Sequence, residues 1–175
     1  MFVTGIQNLS GKGLNTAPNF TTNMAFGSET PPGGQPAAEV DIEFTTETVE
    51  WNYDPGQGRY LRWADGQPIL DANSNAQVAA ANVVVIYANH RQDPNICEQA
   101  ANNVCVALSI EAQIWGTGPA SIFRDGQRFD VTWRRENRHD MFTFVDGSGQ
   151  ALPLQIGNSW FEIIPTWYEN PVTSS

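Results

Sequence analysis

The sequence predicts a single all-β domain, an antiparallel sandwich or barrel built from hairpins, with minimal helix. Apolar and polar residues alternate over several short runs, which is the period of a strand with one buried face. Three Asp-Gly dipeptides, at 65–66, 125–126 and 146–147, stand between such runs. Asp-Gly favours a type I′ hairpin turn because both central residues need positive φ. The chain of 175 residues is long enough to bury one core.

The two ends of the chain are expected to lie outside this domain. Residues 1–36 contain few apolar side chains and end in "ETPPGGQP", a composition typical of a linker or of the tail of a preceding domain. The β domain is expected to span residues 37–168. Residues 169–175 are expected to form a disordered tail.

The individual strands follow from the pattern of apolar residues. Two strands open the domain in "AEVDIEFTTETVEWNYD", and "RYLRWADGQPILD" follows as a hairpin that turns at the first Asp-Gly. "NVVVIYAN" is a continuous apolar run, which is typical of a central strand buried on both faces. Further strands are expected in "ALSIEAQIW", "RFDVTWR", "MFTFV" and "SWFEIIP". Brief helical turns are expected at most in "NAQVAAAN" and "CEQAANNV".

The net charge narrows the range of partners. The chain has 9 basic and 19 acidic residues and a formal net charge of -10, so its surface would repel duplex nucleic acid. No stretch of 18 apolar residues occurs, and the first thirty residues lack the apolar core of a signal peptide. The sequence therefore predicts no nucleic-acid partner and no membrane span.

The stretch "IWGTGPASIFRDGQRFDVTWRREN" raises the question of a nucleotide site, because Gly116 and Gly118 begin like a phosphate-binding loop. Pro119 follows, however, and Ser121 occupies the place of the third glycine. A strand rather than a helix comes next, so no helix N-terminus could meet a pyrophosphate. We therefore expect no nucleotide and no cofactor. The two histidines lack the neighbouring ligands that a metal site needs, so no metal is expected either.

The two cysteines, Cys97 and Cys105, flank the short stretch "EQAANNV". Their even number and loop-like surroundings favour a disulfide, which would form in an oxidising compartment. The alternative is a pair of free thiols. A disulfide closing so short a loop would stabilise the fold by roughly 2–3 kcal/mol.

Basic residues concentrate in one region. Five of the nine lie within fifteen positions: Arg124, Arg128, Arg134, Arg135 and Arg138. One interpretation is a solvated strand face neutralised by the protein's own acids, since Asp130 lies between Arg128 and Arg134. The other is an anion-binding ridge, because arginine forks suit phosphate and carboxylate groups. The candidate ligand-binding residues are Arg62, Trp63, Arg124, Arg128, Arg134 and Arg135.

Paired carboxylates could serve a glycosidase, and Asp71 and Glu111 are the candidates for that role. Asp71 could instead pair with Arg62 across the hairpin that turns at the first Asp-Gly, since oppositely charged residues are common on neighbouring antiparallel strands. That pair is interpreted as structural. No residue is therefore assigned as catalytic.

The six tryptophans fall into two groups. Trp133 and Trp160 lie in alternating patterns and are expected in the core. Trp63 follows Arg62 on a hairpin arm and Trp167 lies near the C-terminus, so these two are the candidates for a surface contact.

Four stretches, "YLRWADGQPILD", "ANVVVIYAN", "GTGPASIFRDGQRFDVTWRR" and "VDGSGQALPLQIGNSWFEIIP", occur in an order that resembles the C-terminal domain of the YerB-like family of bacterial lipoproteins. The resemblance covers about residues 38–165. Its signature positions correspond to Tyr60, Arg62, Asp71, Asn82, Gly116, Gly118, Thr132, Trp133, Gly157 and Trp160.

The resemblance implies an extracytoplasmic, membrane-anchored lipoprotein whose leader and first domain lie outside this soluble chain, and it fits a disulfide. The resemblance implies no established reaction for this chain. The leading hypothesis is a non-catalytic binding or adaptor module at the cell envelope, contacting a glycan, an anionic polymer or an envelope protein. One alternative is an envelope glycan hydrolase using paired carboxylates. Another is a structural domain that braces a preceding N-terminal domain.

Overall fold

The computed structural model describes residues 23–137, 139–169 and 171–175. Within these ranges the chain forms strands and turns, with no helix long and apolar enough to cross a membrane. The strands, in chain order, are β1 (Phe26–Gly27), β2 (Gln35–Pro36), β3 (Glu39–Glu43), β4 (Thr48–Asp54), β5 (Arg59–Ala64), β6 (Gln67–Pro68), β7 (Ala79–Ala80), β8 (Asn82–Ala101), β9 (Val104–Gln113), β10 (Gly116–Arg124), β11 (Gln127–Arg135), β12 (Thr143–Val145), β13 (Leu154–Gln155), β14 (Ser159–Pro165) and β15 (Val172–Ser174). The predicted all-β fold is confirmed.

The larger sheet is built around β8. Its strand order is β12-β11-β10-β8-β14, with β2 added to β11 and β9 added to β8. The pairings are antiparallel except that β14 runs parallel to β8. The side chains of Val83 to Ile86 are fully buried, because β10 and β14 flank this part of β8 and both faces are covered. The prediction of a central strand in "NVVVIYAN" is confirmed.

The second sheet has the strand order β15-β3-β4-β5-β6, with β7 paired to β5. Its edge strand β15 pairs antiparallel with β3, placing Val172 opposite Ile42. Val172 packs against the core between the sheets. The expectation of a disordered tail over 169–175 is therefore wrong, since the open edge of β3 and this apolar contact hold the last residues in a strand.

Two apolar clusters lie on opposite faces of the larger sheet. One fills the space between the sheets and includes Trp51, Tyr60, Val83, Val85 and Phe123. The other covers the outer face and includes Val84, Ile86, Ile122, Phe129, Val131, Trp133 and Leu154. Successive side chains of a strand point to opposite faces, so β8 contributes to both clusters. The larger sheet is therefore the shared wall of two cores.

The first two Asp-Gly turns have the predicted geometry. Asp65 and Gly66 have φ of 47° and 71°, and Asp125 and Gly126 have φ of 54° and 70°. Each dipeptide closes a two-residue hairpin, as a type I′ turn requires. The third dipeptide begins a longer loop, in which the Asp146 carboxylate accepts hydrogen bonds from the N–H groups of residues 148 and 150.

A long hairpin arm, residues 89–113, extends from the larger sheet and is formed by the second half of β8 and by β9. It turns at Asn102 and Asn103, which have φ of 52° and 62°. Cys97 and Cys105 form a disulfide across it, with their Cα atoms 5.8 Å apart, which confirms the predicted bridge. The helical turn expected in "CEQAANNV" is wrong because the Asn-Asn pair adopts positive φ and reverses the chain as a hairpin. "NAQVAAAN" likewise contains a strand, β7, instead of a helical turn.

The end of the predicted linker packs on the domain. β1 pairs parallel with β13, and β2 pairs with β11. Residues 1–22 lie outside the described residues, so the predicted linker character of that part remains a prediction.

Candidate binding cleft

The structure separates the clustered arginines, and Arg124 is fully buried. Its guanidinium donates to the Asp125 carboxylate at 2.7 Å and to the carbonyl oxygens of Pro153, Glu29 and Gly27 at 2.8, 3.1 and 3.3 Å. The expectation that Arg124 belongs to an exposed ligand-binding surface is wrong. The chain leading into the domain closes over this side of the hairpin, and the arginine joins that segment to the loop before β13.

Arg135 is also held by contacts within the domain. Its guanidinium donates to the carbonyl oxygens of Asp140 at 3.0 Å and Ile114 at 3.4 Å, and it lies 5.6 Å from the ring centre of Phe142. Arg134 is exposed on the opposite face of the strand, and Arg138 lies outside the described residues. The five arginines therefore do not form the continuous ridge that the sequence suggested, and Arg128 and Arg134 are the described members that share the other face of β11.

Arg128 is held in a small polar network. Its Nε donates to Oδ1 of Asp130 at 2.8 Å, and the hydroxyl of Ser121 donates to the same oxygen at 2.8 Å. The guanidinium carbon lies 5.9 Å from the ring centre of Phe123. The ion pair is partly exposed, with 25% and 60% of the two side chains accessible. Asp130 thus neutralises Arg128 locally, as the solvated-face interpretation proposes.

This network lines an open cleft of about 550 Å³. The floor comes from the face of β8, β10 and β11 that carries Tyr87, Ser121 and Arg128, and the C-terminal segment around Tyr168 forms one wall. Loop residues Asp146 and Gly147 complete the lining. Such a volume is in the range of sites for small ligands.

The cleft is polar, and its charged lining residues are Arg128, Asp130 and Asp146. Burial raises the pKa of Tyr87, and this effect outweighs the opposing influence of the Arg128 charge. The phenol therefore stays protonated near neutral pH and can donate a hydrogen bond. Among the described residues, the terminal guanidinium nitrogens of Arg128 and Oδ2 of Asp130 make no hydrogen bond, so the cleft contains donors and an acceptor that a ligand could use.

A second open cleft of about 550 Å³ lies beside the first. Asp130, Asp146 and Gly147 line both. The far side of the second cleft is formed by the segment 29–33 and by residues 150–153. The two clefts therefore meet at Asp130, along one edge of β11.

Arg62 and Asp71 do not form the predicted ion pair. Asp71 accepts hydrogen bonds from the N–H groups of Asn73 and Ser74 at 3.1 and 2.8 Å and from the Ser74 hydroxyl at 2.8 Å. These hydrogen bonds lower the pKa of Asp71 and form a local turn. Arg62 instead lies 5.2 Å from the ring centre of Trp160.

The exposure of the tryptophans agrees only in part with the prediction. Trp133 is buried, as expected, but Trp160 is 37% exposed and the expectation of a core position is wrong. It lies on β14, the edge strand of the larger sheet, with its ring centre 5.5 Å from that of Trp51. Trp63 is half-buried and Trp167 is 56% exposed, and neither lines the cleft.

Asp71 and Glu111 do not form a carboxylate pair. Asp71 lies in the loop after β6, on the second sheet, whereas Glu111 lies on the hairpin arm and binds Arg91 at 3.0 Å. Each carboxylate instead binds groups close to it, Asp71 in its own turn and Glu111 on the neighbouring strand. Among the described residues no group of three or more histidine, cysteine, aspartate or glutamate side chains could hold a metal ion.

The signature residues of the family resemblance serve mainly the architecture. Buried Asn82 donates to the Gln155 carbonyl at 2.9 Å and accepts from the Gln155 N–H at 2.7 Å. The Tyr60 hydroxyl donates to the Ala37 carbonyl at 2.9 Å. A Cβ at Gly118 would lie 2.7 Å from the indole nitrogen of Trp133. Thr132 is the signature residue that lines the cleft.

Sequence reasoning missed Tyr87, Ser121 and Tyr168 as cleft residues. Ser121 could have been found, because a two-residue turn at 125–126 places it directly opposite Asp130. Tyr87 lies in an apolar run and Tyr168 in the segment before the expected tail, so neither carries a local signal.

Comparisons with known proteins agree with this fold. The family described as "Protein of unknown function (DUF3048) C-terminal domain" matches residues 40–161. The chain is 28% identical over 120 residues to "Putative lipoprotein YerB" of Bacillus subtilis strain 168, which covers 69% of this chain and 32% of that protein. A crystal structure of the YerB protein from Bacillus subtilis superposes with a TM-score of 0.68 at 19% identity, covering 99% of this chain and 53% of the other.

The chain thus spans about a third of the length of its curated relative and about half of the solved one. The match to the family covers more than half of this chain and includes most strands of both sheets, from β3 to the first residues of β14. The chain belongs to the DUF3048 C-terminal domain family.

Proposed function

We propose that this chain is a non-catalytic, glycan-binding module of the bacterial cell envelope and that the cleft beside Arg128 is its binding site. The observation that carries the proposal is the network of Arg128, Asp130 and Ser121, which exposes unused donors and an unused acceptor between two tyrosines.

The hydroxyl groups of a sugar both donate and accept hydrogen bonds. A fixed site for them needs donors and acceptors side by side, which the Arg128 terminal nitrogens and Asp130 Oδ2 supply together. The rings of Tyr87 and Tyr168 add apolar surface to the lining, which suits the apolar ring face of a sugar. The Tyr168 hydroxyl already pairs with the Thr45 hydroxyl, so Tyr87 is the one of the two that has its polar tip available. The ion pair orients both groups before a ligand arrives, which reduces the entropy lost on binding.

The charge of the cleft favours a neutral glycan over an anionic polymer. Asp130 neutralises the one arginine of the first cleft, and Asp146 adds a further negative charge. The charged residues that line the second cleft, among those that the structure describes, are the acidic Glu29, Asp130 and Asp146. An anionic ligand would therefore meet repulsion along most of this surface.

The proposed location rests on two observations. The curated relative is described as a lipoprotein, which supports an extracytoplasmic protein held at the membrane by a lipid anchor. The Cys97–Cys105 disulfide fits the same compartment, because such bonds persist where the environment is oxidising.

Binding calorimetry with two neutral oligosaccharides, cellotetraose and the tetramer of N-acetylglucosamine, tests the proposal. Arg128→Gln removes the charged donors and is expected to weaken binding about 10- to 100-fold. Arg134→Gln is the matched control, because it makes the same change at an exposed arginine of the same strand that does not line the cleft, and affinity should stay within about twofold. Because the ligand is neutral, binding should be insensitive to salt. The proposal is wrong if neither oligosaccharide binds, or if the two variants lose affinity equally.

A further inference from the structure

The hairpin arm presents an apolar stripe to solvent on one of its faces. Successive side chains of β9 point to opposite faces, so positions 104, 106, 108, 110 and 112 share one face. These positions carry valine, valine, leucine, isoleucine and alanine. Val104, Val106 and Ile110 are 63%, 56% and 52% exposed. Large aliphatic side chains lined up in this way form a continuous patch, which on a protein surface marks a site of interaction.

At the base of the arm the stripe joins the outer face of the larger sheet. Ala112 lies opposite His90, and the exposed Trp167 meets the His90 ring edge-to-face, with 5.7 Å between ring centres. Ala88, two residues before His90 on β8, belongs to the outer apolar cluster. Tyr87 points to the opposite face and lines the cleft. The stripe and the cleft therefore lie on opposite sides of the sheet.

The other face of the arm is polar. Arg91 lies opposite Glu111 and pairs with it at 3.0 Å, and Asp93 lies opposite Ser109. The arm is therefore an amphipathic two-stranded ribbon. β9 pairs with β8 and with no other described strand, so the ribbon extends from the sheet without a second layer on its apolar face.

The dimensions of the stripe match those of an interface between two copies of the chain. β9 has 10 residues, so the ribbon is about 33 Å long and about 10 Å wide. Two such faces packed together bury on the order of 1,000 Å², which is the lower bound for a specific interface. Valine and isoleucine also pack well between two pleated faces.

Charge favours a second copy over a membrane surface. Amphipathic segments that bind bilayers carry basic residues on their polar face, whereas the arginine of this face is neutralised by Glu111. The formal net charge of -10 would also be repelled by anionic lipids. Two antiparallel arms place the acidic bodies of the copies at opposite ends of the ribbon. The bodies are then about 33 Å apart, several Debye lengths at physiological salt, so their mutual repulsion is screened.

We propose that the chain forms a twofold-symmetric dimer in which the apolar faces of two hairpin arms pack antiparallel. Leu108 lies near the twofold axis, and Val106 of each copy meets Ile110 of the other. Val104, at the tip of each arm, packs near Trp167 at the base of the other. The disulfide holds the arm as a ribbon before association, which reduces the entropy lost on dimerisation. The dimer does not depend on the glycan-binding function, and the cleft stays open in both copies.

Sedimentation equilibrium of the whole chain tests the dimer. A dissociation constant of about 1–100 μM is expected for an interface of this size. Ile110→Lys should weaken the dimer about 10-fold or more, because two ammonium groups enter one apolar interface. Ile156→Lys is the matched control, since it adds the same charge at an exposed isoleucine outside the arm, and its constant should stay within about twofold. If Ile110→Lys does not fold, Val106→Thr keeps the side-chain shape and should weaken the dimer about 3- to 10-fold.

The same measurement can overturn the proposal in three ways. A chain that stays monomeric at about 1 mM does not form the dimer. Equal weakening by the two lysine variants would place the contact elsewhere. Salt should strengthen an apolar dimer of acidic chains, so weakening by salt would contradict it. A monomeric chain that cosediments with phosphatidylglycerol vesicles, and loses this with Ile110→Lys, would make the stripe a membrane contact instead.

Nuclear Overhauser effects between a labelled and an unlabelled copy test the antiparallel arrangement. In one chain the distance from Val104 to Ala112 along β9 is about 26 Å, so the methyl groups of Val104 cannot reach the base of their own arm. Contacts between these methyl groups and the Trp167 ring are therefore expected only between copies. A dimeric sample without them would overturn the proposal.

Discussion

Ser121 and Asp130 lie opposite each other across the hairpin that turns at residues 125–126, and the serine hydroxyl donates to the aspartate carboxylate at 2.8 Å. The same carboxylate oxygen accepts from Arg128. A buried serine and a partly exposed arginine therefore hold one acidic side chain from two sides. This arrangement leaves Oδ2 of the carboxylate without a hydrogen bond from another described residue, at the lining of the cleft.

Removal of the buried Arg124 guanidinium should destabilise the fold strongly. Arg124→Met keeps most of the apolar stem but removes the guanidinium that donates to the Asp125 carboxylate and to three backbone carbonyls. The free energy of unfolding is expected to fall by about 3 kcal/mol or more, measured by denaturant titration. Arg134→Met, at the exposed arginine, is the control and should change stability by less than about 0.5 kcal/mol. A loss below about 1 kcal/mol for Arg124→Met would show that the buried network matters little.

Gly118→Ala should destabilise the domain because the new methyl group meets an indole. The added Cβ would lie 2.7 Å from Nε1 and 2.9 Å from Cε2 of Trp133, a side chain whose ring nitrogen also donates to the Tyr87 carbonyl. Overpacking of this kind costs about 1–3 kcal/mol. Gly147→Ala is the matched control, since a Cβ there meets nothing within 4 Å. Thermal or chemical unfolding of both variants checks the prediction, and equal stabilities would refute it.

Loss of the Cys97–Cys105 disulfide should destabilise the hairpin arm and leave the two apolar clusters intact. The bridge lies on the hairpin arm, outside both apolar clusters. Cys97→Ser/Cys105→Ser should lower the free energy of unfolding of the arm by roughly 2–3 kcal/mol. Amide exchange is expected to accelerate near the arm tip, whereas Val83 to Ile86 in the buried part of β8 should remain protected. Uniform acceleration through β8 would mean that the arm and the core unfold as one unit.

The stability of the domain should depend on the ionisation of Glu162. Burial raises its pKa, although the hydrogen bond from Trp51 and the Arg62 charge oppose the shift. A carboxyl whose pKa is raised in the folded state stabilises the fold when protonated, and this contribution is lost as the pH rises through the folded-state pKa. Glu162→Gln keeps an acceptor for Trp51 and carries no charge. The free energy of unfolding of the variant, minus that of the wild type, should therefore increase as the pH rises from acidic to neutral. Denaturation of both proteins at several pH values measures this difference. A constant difference across that range would contradict the assignment.

Several features of the fold were readable from local sequence. The alternation around Val40 and Trp51 predicted amphipathic strands, and the continuous run from Val83 to Ile86 predicted a strand buried on both faces. Asn102 and Asn103 also carry a turn signal, since asparagine tolerates positive φ better than most residues other than glycine. Such features depend on the backbone preferences of a few adjacent residues.

The environment of Arg124 and of Trp160 could not be derived in the same way. Arg124 is buried because the segment before the domain and the loop before β13 close over it, and Trp160 is exposed because β14 joins the larger sheet as a parallel edge strand. Both outcomes depend on contacts between residues that are far apart in the chain. Charge therefore predicted the wrong exposure for Arg124, and the alternating pattern predicted the wrong exposure for Trp160.

The amino-acid sequence by itself determined most of the strands and the two tight hairpins that turn at 65–66 and 125–126, and the second of these sets Ser121 opposite Asp130. Strand periodicity and two-residue turns are local properties, which is why the sequence could determine them. The tertiary structure alone decided where the cleft lies and which arginine borders it. The cleft forms where Tyr87, Arg128 and Tyr168 come together from three distant parts of the chain. The free energy that assembles them comes from burying the two cores, and that burial is a property of the whole fold.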